Sequence, residues 1–284
     1  MNDTPIDAYC VMGNPVEHSR SPWIHARFAE LTGQRLRYNR QLVALDGFAQ
    51  AVHALRARGG RGCNVTIPFK FEAVALSTQV SERAALAQAA NTLSFDADGI
   101  HADNTDGLGL VADIQNNLAV RLRARDVLLL GAGGAAAGAL GPLLQAGPRQ
   151  VLVANRTQAK ADALVRRHAA LARSQDCALQ ACGLDTMGHS FDIVINASAS
   201  SLEGAAVPLQ ADVLRPGALA YDMMYGPAAA GFLTWARSHG ARACDGLGML
   251  VEQAAESFFI WRGVRPPSAT VLAELRRVID TTPP

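Results

Sequence analysis

The sequence predicts an α/β protein whose middle is a doubly wound parallel sheet, and three observations carry that expectation. Residues 127–138, VLLLGAGGAAAG, run from an aliphatic stretch through Gly131, Gly133 and Gly134 into alanines, the order of a buried strand, a tight turn and a helix. Three more aliphatic runs follow at 150–154 (QVLVA), 192–197 (DIVINA) and 218–223 (ALAYDM), and strands alternating with helical stretches build a parallel sheet covered on both faces. The apolar strands of the chain end in polar Asn, Thr, Lys and Asp side chains, which collect where open α/β sheets bind ligands.

The glycine turn suits a dinucleotide. Gly131 permits the sharp bend, Gly133 lets the backbone approach a pyrophosphate closely, and Gly134 with the alanines that follow, in a G-x-G-x-x-A pattern ending at Ala136, lets the helix pack against its strand. Free amides at the helix start then face the phosphates. The next strand ends in Asn155-Arg156-Thr157, with Lys160 one turn further on. A site that prefers NAD carries an acidic residue here to accept from the ribose hydroxyls, whereas an arginine pairs with a 2′-phosphate. No acidic residue stands at this strand end, so the expected cofactor is NADP; the plainer alternative is that Arg156 only tops a helix. Residues 127–144 carry no charge over 18 positions, but five glycines and Pro142 make them too weakly apolar for a membrane span.

Composition narrows the function further. A chain of 284 residues with 49% hydrophobic content has ample material for one or two packed domains. Twenty-six basic against 25 acidic residues leave a net charge of +1 with no basic block, so nucleic acid is not an expected partner. The start, MNDTPIDAYC, shows no basic region followed by a long apolar run, which favours the cytoplasm. Five cysteines, without C-x-x-C or paired Cys/His spacing, read as reduced structural thiols, and no metal is expected.

Taken in order, residues 8–13 (AYCVMG) read as a buried strand ending at Gly-Asn-Pro, followed by a loop in which Ser21-Pro22 reads as an N-cap and first helical position. Ser19 and Ser21, spaced i, i+2, read either as simple capping or as two hydroxyls that reach one small carboxylate. Residues 38–43 read as a strand and Asp46 as the cap of a helix carrying Phe48, Val52 and Leu55. Residues 62–70, GCNVTIPFK, deliver Asn64, Thr66 and Lys70, and Lys70 reads either as a solvated surface lysine or as one desolvated by Phe69 and Phe71. Residues 89–106 read as two strands joined by Asp-Ala-Asp-Gly, bearing the pairs Asn91-Thr92 and Asn104-Thr105, with Asp106 opening a helix. Near the end, Gly-Leu-Gly at 246–248 reads as a bend before a helix from about Met249 to Trp261, in which Gln253 is either a buried satisfied amide or a ligand contact.

Together, GNPVEHSRSPWIH, GCNVTIPFK, AANTL, DNTDG, GAGGAAAG, NRT, INAS, YDMMY and DGLGMLVEQAA, in this order, resemble the shikimate dehydrogenase family, which reduces 3-dehydroshikimate with NADPH in aromatic amino-acid (chorismate) synthesis. The resemblance covers nearly the whole chain. It implies that Ser19 and Ser21 hold the substrate carboxylate with Thr66 and Tyr225, and that Asn64, Asn91, Asp106 and Gln253 bind ring hydroxyls. It implies Lys70 and Asp106 as the catalytic pair. For the cofactor it implies Gly131, Ala132, Gly133, Gly134, Ala135, Asn155, Arg156, Thr157, Lys160, Asn196, Met223 and Gly246. The implied architecture is an N-terminal α/β substrate domain, residues 1–106 completed by 247–284, and a Rossmann-type doubly wound NADP-binding domain, residues 107–246, with a cleft between them that closes on ligand. The expected protein is a monomer or homodimer acting on a small molecule. Three positions depart from the family pattern: Phe71 stands where Glu is frequent, Gln88 where Gly is frequent, and Ala199 where Ser is. A quinate or amino-analogue paralogue and a non-catalytic ligand sensor on the same fold are the other readings.

Overall fold

The computed structural model describes residues 6–188, 190–198 and 209–281. The chain divides into two compact units, Met1–Gly109 with Leu250–Pro284, and Leu110–Met249.

The first unit is built on a mixed sheet of six strands: β1 (Asp7–Gly13), β2 (Leu36–Leu42), β3 (Gly60–Val65), β4 (Gln79–Val80), β5 (Thr92–Phe95) and β6 (Ile100–Asp103), in the order β2-β1-β3-β5-β6-β4. Strands β1, β2 and β3 run parallel, and β5 pairs antiparallel with both β3 and β6, the latter through the Asp-Ala-Asp-Gly turn. Helices α1 (Ser21–Thr32), α2 (Phe48–Ala57), α3 (Lys70–Leu76) and α4 (Glu82–Ala87) connect them. Phe48 of α2 stacks on Phe69 at 4.9 Å, and Met12, Cys63 and Leu93 close the same core. Each such side chain contributes about 1.5–3 kcal/mol by leaving water.

Two caps differ from the sequence reading. Ser21 is the first residue of α1, after Arg20, and its backbone N–H donates to Ser19 Oγ at 3.3 Å, so it is Ser19 that serves the helix start. Helix α2 begins after Gly47, and the Asp46 side chain makes no capping bond. Lys70 opens α3, and of the two aromatic neighbours expected to desolvate it only Phe69 is buried, while Phe71 is 53% exposed.

The second unit holds β7 (Asp126–Leu130), β8 (Gln150–Ala154), β9 (Ala178–Cys182), β10 (Phe191–Asn196), β11 (Leu214–Asp222) and β12 (Arg242–Cys244). All are parallel, in the order β12-β11-β10-β7-β8-β9, so the chain reverses its winding direction between β7 and β10. That is the doubly wound order, whose ligand crevice lies outside the carboxyl ends at the reversal. The opposite, amino ends are tied by charge: Asp126 accepts from Arg149 and Arg215, and these guanidiniums, Arg149 first, hold its carboxyl below the usual range. Helix α5 (Asp106–Ala112) leads into this unit and passes into a π turn at Asp113–Asn117; α6 (Gly134–Gln145), α7 (Gln158–Ser174) and α8 (Ala230–Ser238) cover the sheet.

The chain then enters α9 (Leu247–Arg262), followed by α10 (Ser268–Thr281). Gly-Leu-Gly is not a free bend. Helix α9 already starts at Leu247, and both glycines are there for close approach: a Cβ on Gly246 would lie 2.3 Å from the Met223 carbonyl oxygen, and one on Gly248 1.9 Å from Asp113 Oδ1. Asp113 in turn accepts from the Tyr221 hydroxyl at 2.6 Å.

His25 of α1 is fully buried, stacked on Tyr38 at 4.2 Å and 5° and surrounded by Phe28, Phe258 and Trp261. Burial drives its pKa from 6.5 down to about 3. The unfolded chain therefore takes up a proton that the folded chain refuses, so the stability tied to neutral His25 is complete above 6.5 and is lost as the pH falls towards 3. The expected slope is about 1.4 kcal/mol per pH unit. Buried His168 adds to it with the same sign. Thermal unfolding between pH 7 and 5 checks this: His25→Leu lowers Tm at pH 7 but flattens its decline on acidification, and an unchanged decline would assign the titration to another group.

Candidate active site

In the first unit, the polar residues of β3, β5, α5 and α9 meet in one buried cluster. Lys70 Nζ, at the start of α3, donates to Asp106 Oδ2 at 2.5 Å, with side-chain exposures of 19% and 8%. Asp106 is the first residue of α5, where a carboxylate meets the positive end of the helix, and its backbone N–H donates to Asn104 Oδ1 at 3.1 Å. Its second oxygen, Oδ1, accepts from Asn91 Nδ2 at 2.8 Å. The orientation of Asn91 is fixed by the Thr105 backbone N–H, which can only donate and does so to Asn91 Oδ1 at 2.8 Å. The amino end of Asn91 must therefore face the carboxylate. The Asp106 carboxylate thus lies between a cation and an amide donor, and removing the cation would leave a buried charge uncompensated, at about 3–5 kcal/mol.

Gln253 of α9 enters the same cluster. Its Oε1 accepts from Asn91 Nδ2 at 3.1 Å and its Nε2 donates to the Leu250 carbonyl at 2.9 Å, which leaves one N–H of Nε2 beyond these bonds. Four residues from Gln253, Ser257 is fully buried and lies within hydrogen-bond distance of Asn64 Nδ2 (3.0 Å), Thr92 Oγ1 (2.8 Å) and Thr105 Oγ1 (3.2 Å). Asn64 also reaches the Asn91 carbonyl and the Tyr38 hydroxyl. So Lys70, Asp106, Asn91, Gln253 and Asn64 are brought together through unbroken hydrogen bonds. Tyr38 and Ser257 are members that the sequence did not suggest. A serine one turn after Gln253, fully within a helix rich in apolar residues, was a readable signal; nothing local marked Tyr38.

Ser19 and Ser21 form a second small group. Arg40 donates through Nε and Nη2 to the Ser19 carbonyl at 2.9 and 2.6 Å, which pins the loop ahead of α1. Thr66 lies on the turn after β3, its methyl group over Gly13, where a Cβ would come within 2.3 Å of it. Tyr225 belongs to the second unit, in the loop after β11.

In the second unit, the remaining sequence-selected residues occupy the carboxyl ends of the parallel strands. Gly131 has φ +104°, and a Cβ there would press to 2.9 Å against the Ala197 carbonyl oxygen, so the turn admits only glycine. Over Gly133 a Cβ would meet nothing within 4 Å. Helix α6 then begins with no side-chain cap and no acidic residue in its first turn, so the amides about Gly134 and Ala135 lack intrahelical partners and suit a phosphate. Ala132 completes the turn. Asn155, Arg156 and Thr157 end β8, and Lys160 lies on the first turn of α7. Arg156 and Lys160 are exposed, and among the described residues neither is paired with an acidic side chain. Asn196 closes β10, donating to buried Asp222 at 2.9 Å and accepting from Ser198. Asp222, which the sequence reading passed over, also accepts from the Met224 backbone N–H, so one carboxylate shapes the loops holding Asn196 and Met223. Gly246 donates its N–H to the Met224 carbonyl at 2.9 Å. These residues fit a dinucleotide phosphate: an uncapped helix start, a glycine face open for close approach, and two exposed cations at the next strand end. Ala199 lies outside the described residues.

The five cysteines are free thiols. Cys63 faces Cys10 across β3 and β1, and that neighbour together with burial keeps its thiol protonated. Among the described residues, no group of three or more His, Cys, Asp or Glu side chains could hold a metal ion, and no helix is long and apolar enough to cross a membrane.

The strand order and glycine turn place the second unit in the doubly wound, dinucleotide-binding class. Residues 11–93 match the family model of the shikimate dehydrogenase substrate binding domain, 113–204 that of shikimate / quinate 5-dehydrogenase, and 246–276 that of the shikimate 5'-dehydrogenase C-terminal domain. The chain is 67% identical over 273 residues to shikimate dehydrogenase (NADP(+)) of Acidovorax sp. strain JS42, covering 96% of this chain and 97% of the relative. Among solved structures it is similar to an Ael1 enzyme from Pseudomonas putida (TM-score 0.88, 49% identity, 95% and 98% of the two chains). It is also similar to shikimate 5-dehydrogenase from Thermus thermophilus in complex with NADP(H) and shikimate (TM-score 0.84, 30% identity, 96% and 99%). This chain belongs to the shikimate dehydrogenase family.

Proposed function

We propose that this chain catalyses the reversible NADPH-dependent reduction of 3-dehydroshikimate to shikimate, with the first unit binding substrate and the second binding NADP. The observation that carries the reading is the buried Lys70–Asp106 pair, backed by Asn91, within a cluster of amides and hydroxyls suited to a polyhydroxylated ring. When bound, NADPH supplies the hydride; the chain's own residues supply position and a proton. Ser19 and Ser21, with Thr66 and Tyr225, hold the carboxylate, and Asn64, Asn91 and Gln253 meet the ring hydroxyls. Lys70 Nζ carries three N–H donors, of which Asp106 takes one, and another stabilises the oxygen of the substrate carbonyl and protonates it as it becomes an alcohol. Asp106 keeps Lys70 aimed, and accepts from the hydroxyl.

For the cofactor, Gly131 to Ala135 would cradle the pyrophosphate, Asn155, Arg156, Thr157 and Lys160 would receive the adenosine ribose with its 2′-phosphate, and Asn196, Met223 and Gly246 would complete the site. The cytoplasm is the proposed compartment and the active species a monomer or homodimer. Absorbance at the nicotinamide band with shikimate and NADP tests the reaction. Quinate turnover equal to that of shikimate would replace it by a broader shikimate/quinate activity, and binding without turnover by a sensor.

Lys70→Ala is expected to lower kcat about 10²- to 10⁴-fold with a much smaller change in the Kd for shikimate. Turnover and equilibrium binding, measured separately, decide this: a preserved kcat with weakened binding would leave Lys70 a binding residue only. Arg156→Ala should weaken NADP roughly ten-fold, at the low end for a hydrogen bond to a charged group because Arg156 is exposed, and leave NAD nearly unchanged. Equal losses for the two cofactors, read from their KM values, would refute the 2′-phosphate assignment.

A further inference from the structure

We propose that Tyr38 is a positioning residue for ligand recognition: the Asn91 carbonyl sets which way the Asn64 amide faces, and the Tyr38 phenol holds its carbonyl oxygen in place, so that only that oxygen is left for a ligand. The direction of each bond follows from groups that can act in only one way. The Asn91 backbone carbonyl can only accept, and it takes a hydrogen from Asn64 Nδ2 at 3.1 Å; Ser257 Oγ lies 3.0 Å and Thr92 Oγ1 3.2 Å from the same nitrogen. Two hydrogens facing three acceptors leave Nδ2 nothing to offer. The other end, Oδ1, accepts the Tyr38 hydroxyl at 2.7 Å and keeps one lone pair.

A ligand group that meets Asn64 must therefore donate, as a hydroxyl does, and an acceptor-only group in its place meets an unanswered lone pair. Tyr38 is held for this task by burial on β2, where it is 7% exposed, and by its flat stack on His25. The inference rests on the reading in which Asn64 meets a ring hydroxyl of shikimate.

Tyr38→Phe keeps the ring and its stack and deletes only the donor. With shikimate and NADP, KM for shikimate is expected to rise about five-fold, the worth of one neutral hydrogen bond, with kcat changed less than about two-fold because Lys70 and Asp106 are untouched. The double variant with Asn64→Ala should have the KM of Asn64→Ala alone, since Tyr38 acts through that amide. Additive effects, or a loss confined to kcat, would overturn the proposal. Hydrogen exchange of the Asn64 side-chain amide in the ligand-free wild-type protein is the second readout, and it needs neither turnover nor a folded variant. Strong protection is expected, and exchange at the rate of a free amide overturns the inference. Should the wild type fail to oxidise shikimate while that protection holds, the proposed reaction fails and the orientation of Asn64 stands.

Discussion

Everything in the first unit that bears on chemistry depends on holding one ammonium–carboxylate pair away from water. Lys70 and Asp106 gain strongly from each other only because both are largely buried, and burial is costly unless the remaining lone pairs and hydrogens find partners. The fold meets this demand from several directions. Helix α5 points its positive end at Asp106, Asn104 satisfies the backbone there, and Asn91 fills the second carboxylate oxygen. Asn91 is itself held by Thr105, whose neighbour in sequence is Asp106. The chain thus uses a single corner, Asn104 to Asp106, to set both the carboxylate and the amide that supports it. Such a network is worth having only when complete, because a half-satisfied buried set is worse than an apolar one.

The second unit solves a different problem by different means. Its ligand-facing groups are mostly backbone: glycines at 131, 133 and 246, the uncapped start of α6, and loops fixed by Asp222. A phosphate needs donors without bulk, and a bare turn supplies them. The amino ends of the same strands carry the Asp126–Arg149–Arg215 charges, which serve the sheet alone. One edge of the sheet is therefore free to keep strained or open backbone, while the other supplies stability.

How much of this could be read in the sequence follows from how local each feature is. The glycine turn, the parallel strands and the helix opened by Asp106 depend on runs of a few residues, and they stand where periodicity and turn chemistry put them. Helix starts were less legible: Asp46 has the right side chain for a cap, yet α2 begins one residue later behind Gly47. Gly248 resembled a flexible bend because its constraint, the Asp113 carboxylate, comes from a distant stretch of chain. Tyr38 was illegible for the same reason, and Ser257, though readable as a polar residue on the Gln253 face, gave no local sign of its partners. Asn64 and Ser257 are 193 residues apart and meet only because α9 returns to the first unit. Lys70 and Asp106 escaped this limit through resemblance to a family and not through spacing; on physics alone Lys70 remained an ordinary lysine.

The contrast between the two units also bears on which contacts can vary without loss of the fold. Arg156 and Lys160 are exposed side chains whose interactions are screened by water and salt, so replacing them leaves the sheet beneath intact. Asn64, Asn91 and Asp106 have no such freedom, since each is 6% exposed or less and each satisfies another buried group. A change there alters recognition and stability together. On the proposed reading, specificity for the ring is locked to the integrity of the first unit, whereas specificity for the adenosine end of the dinucleotide rests on side chains that the fold does not need. Divergence within this architecture is accordingly least disruptive at the end of β8. A new ring specificity has to keep every amide of the buried cluster partnered, which favours exchanges of one hydrogen-bonding group for another of the same polarity over deletions.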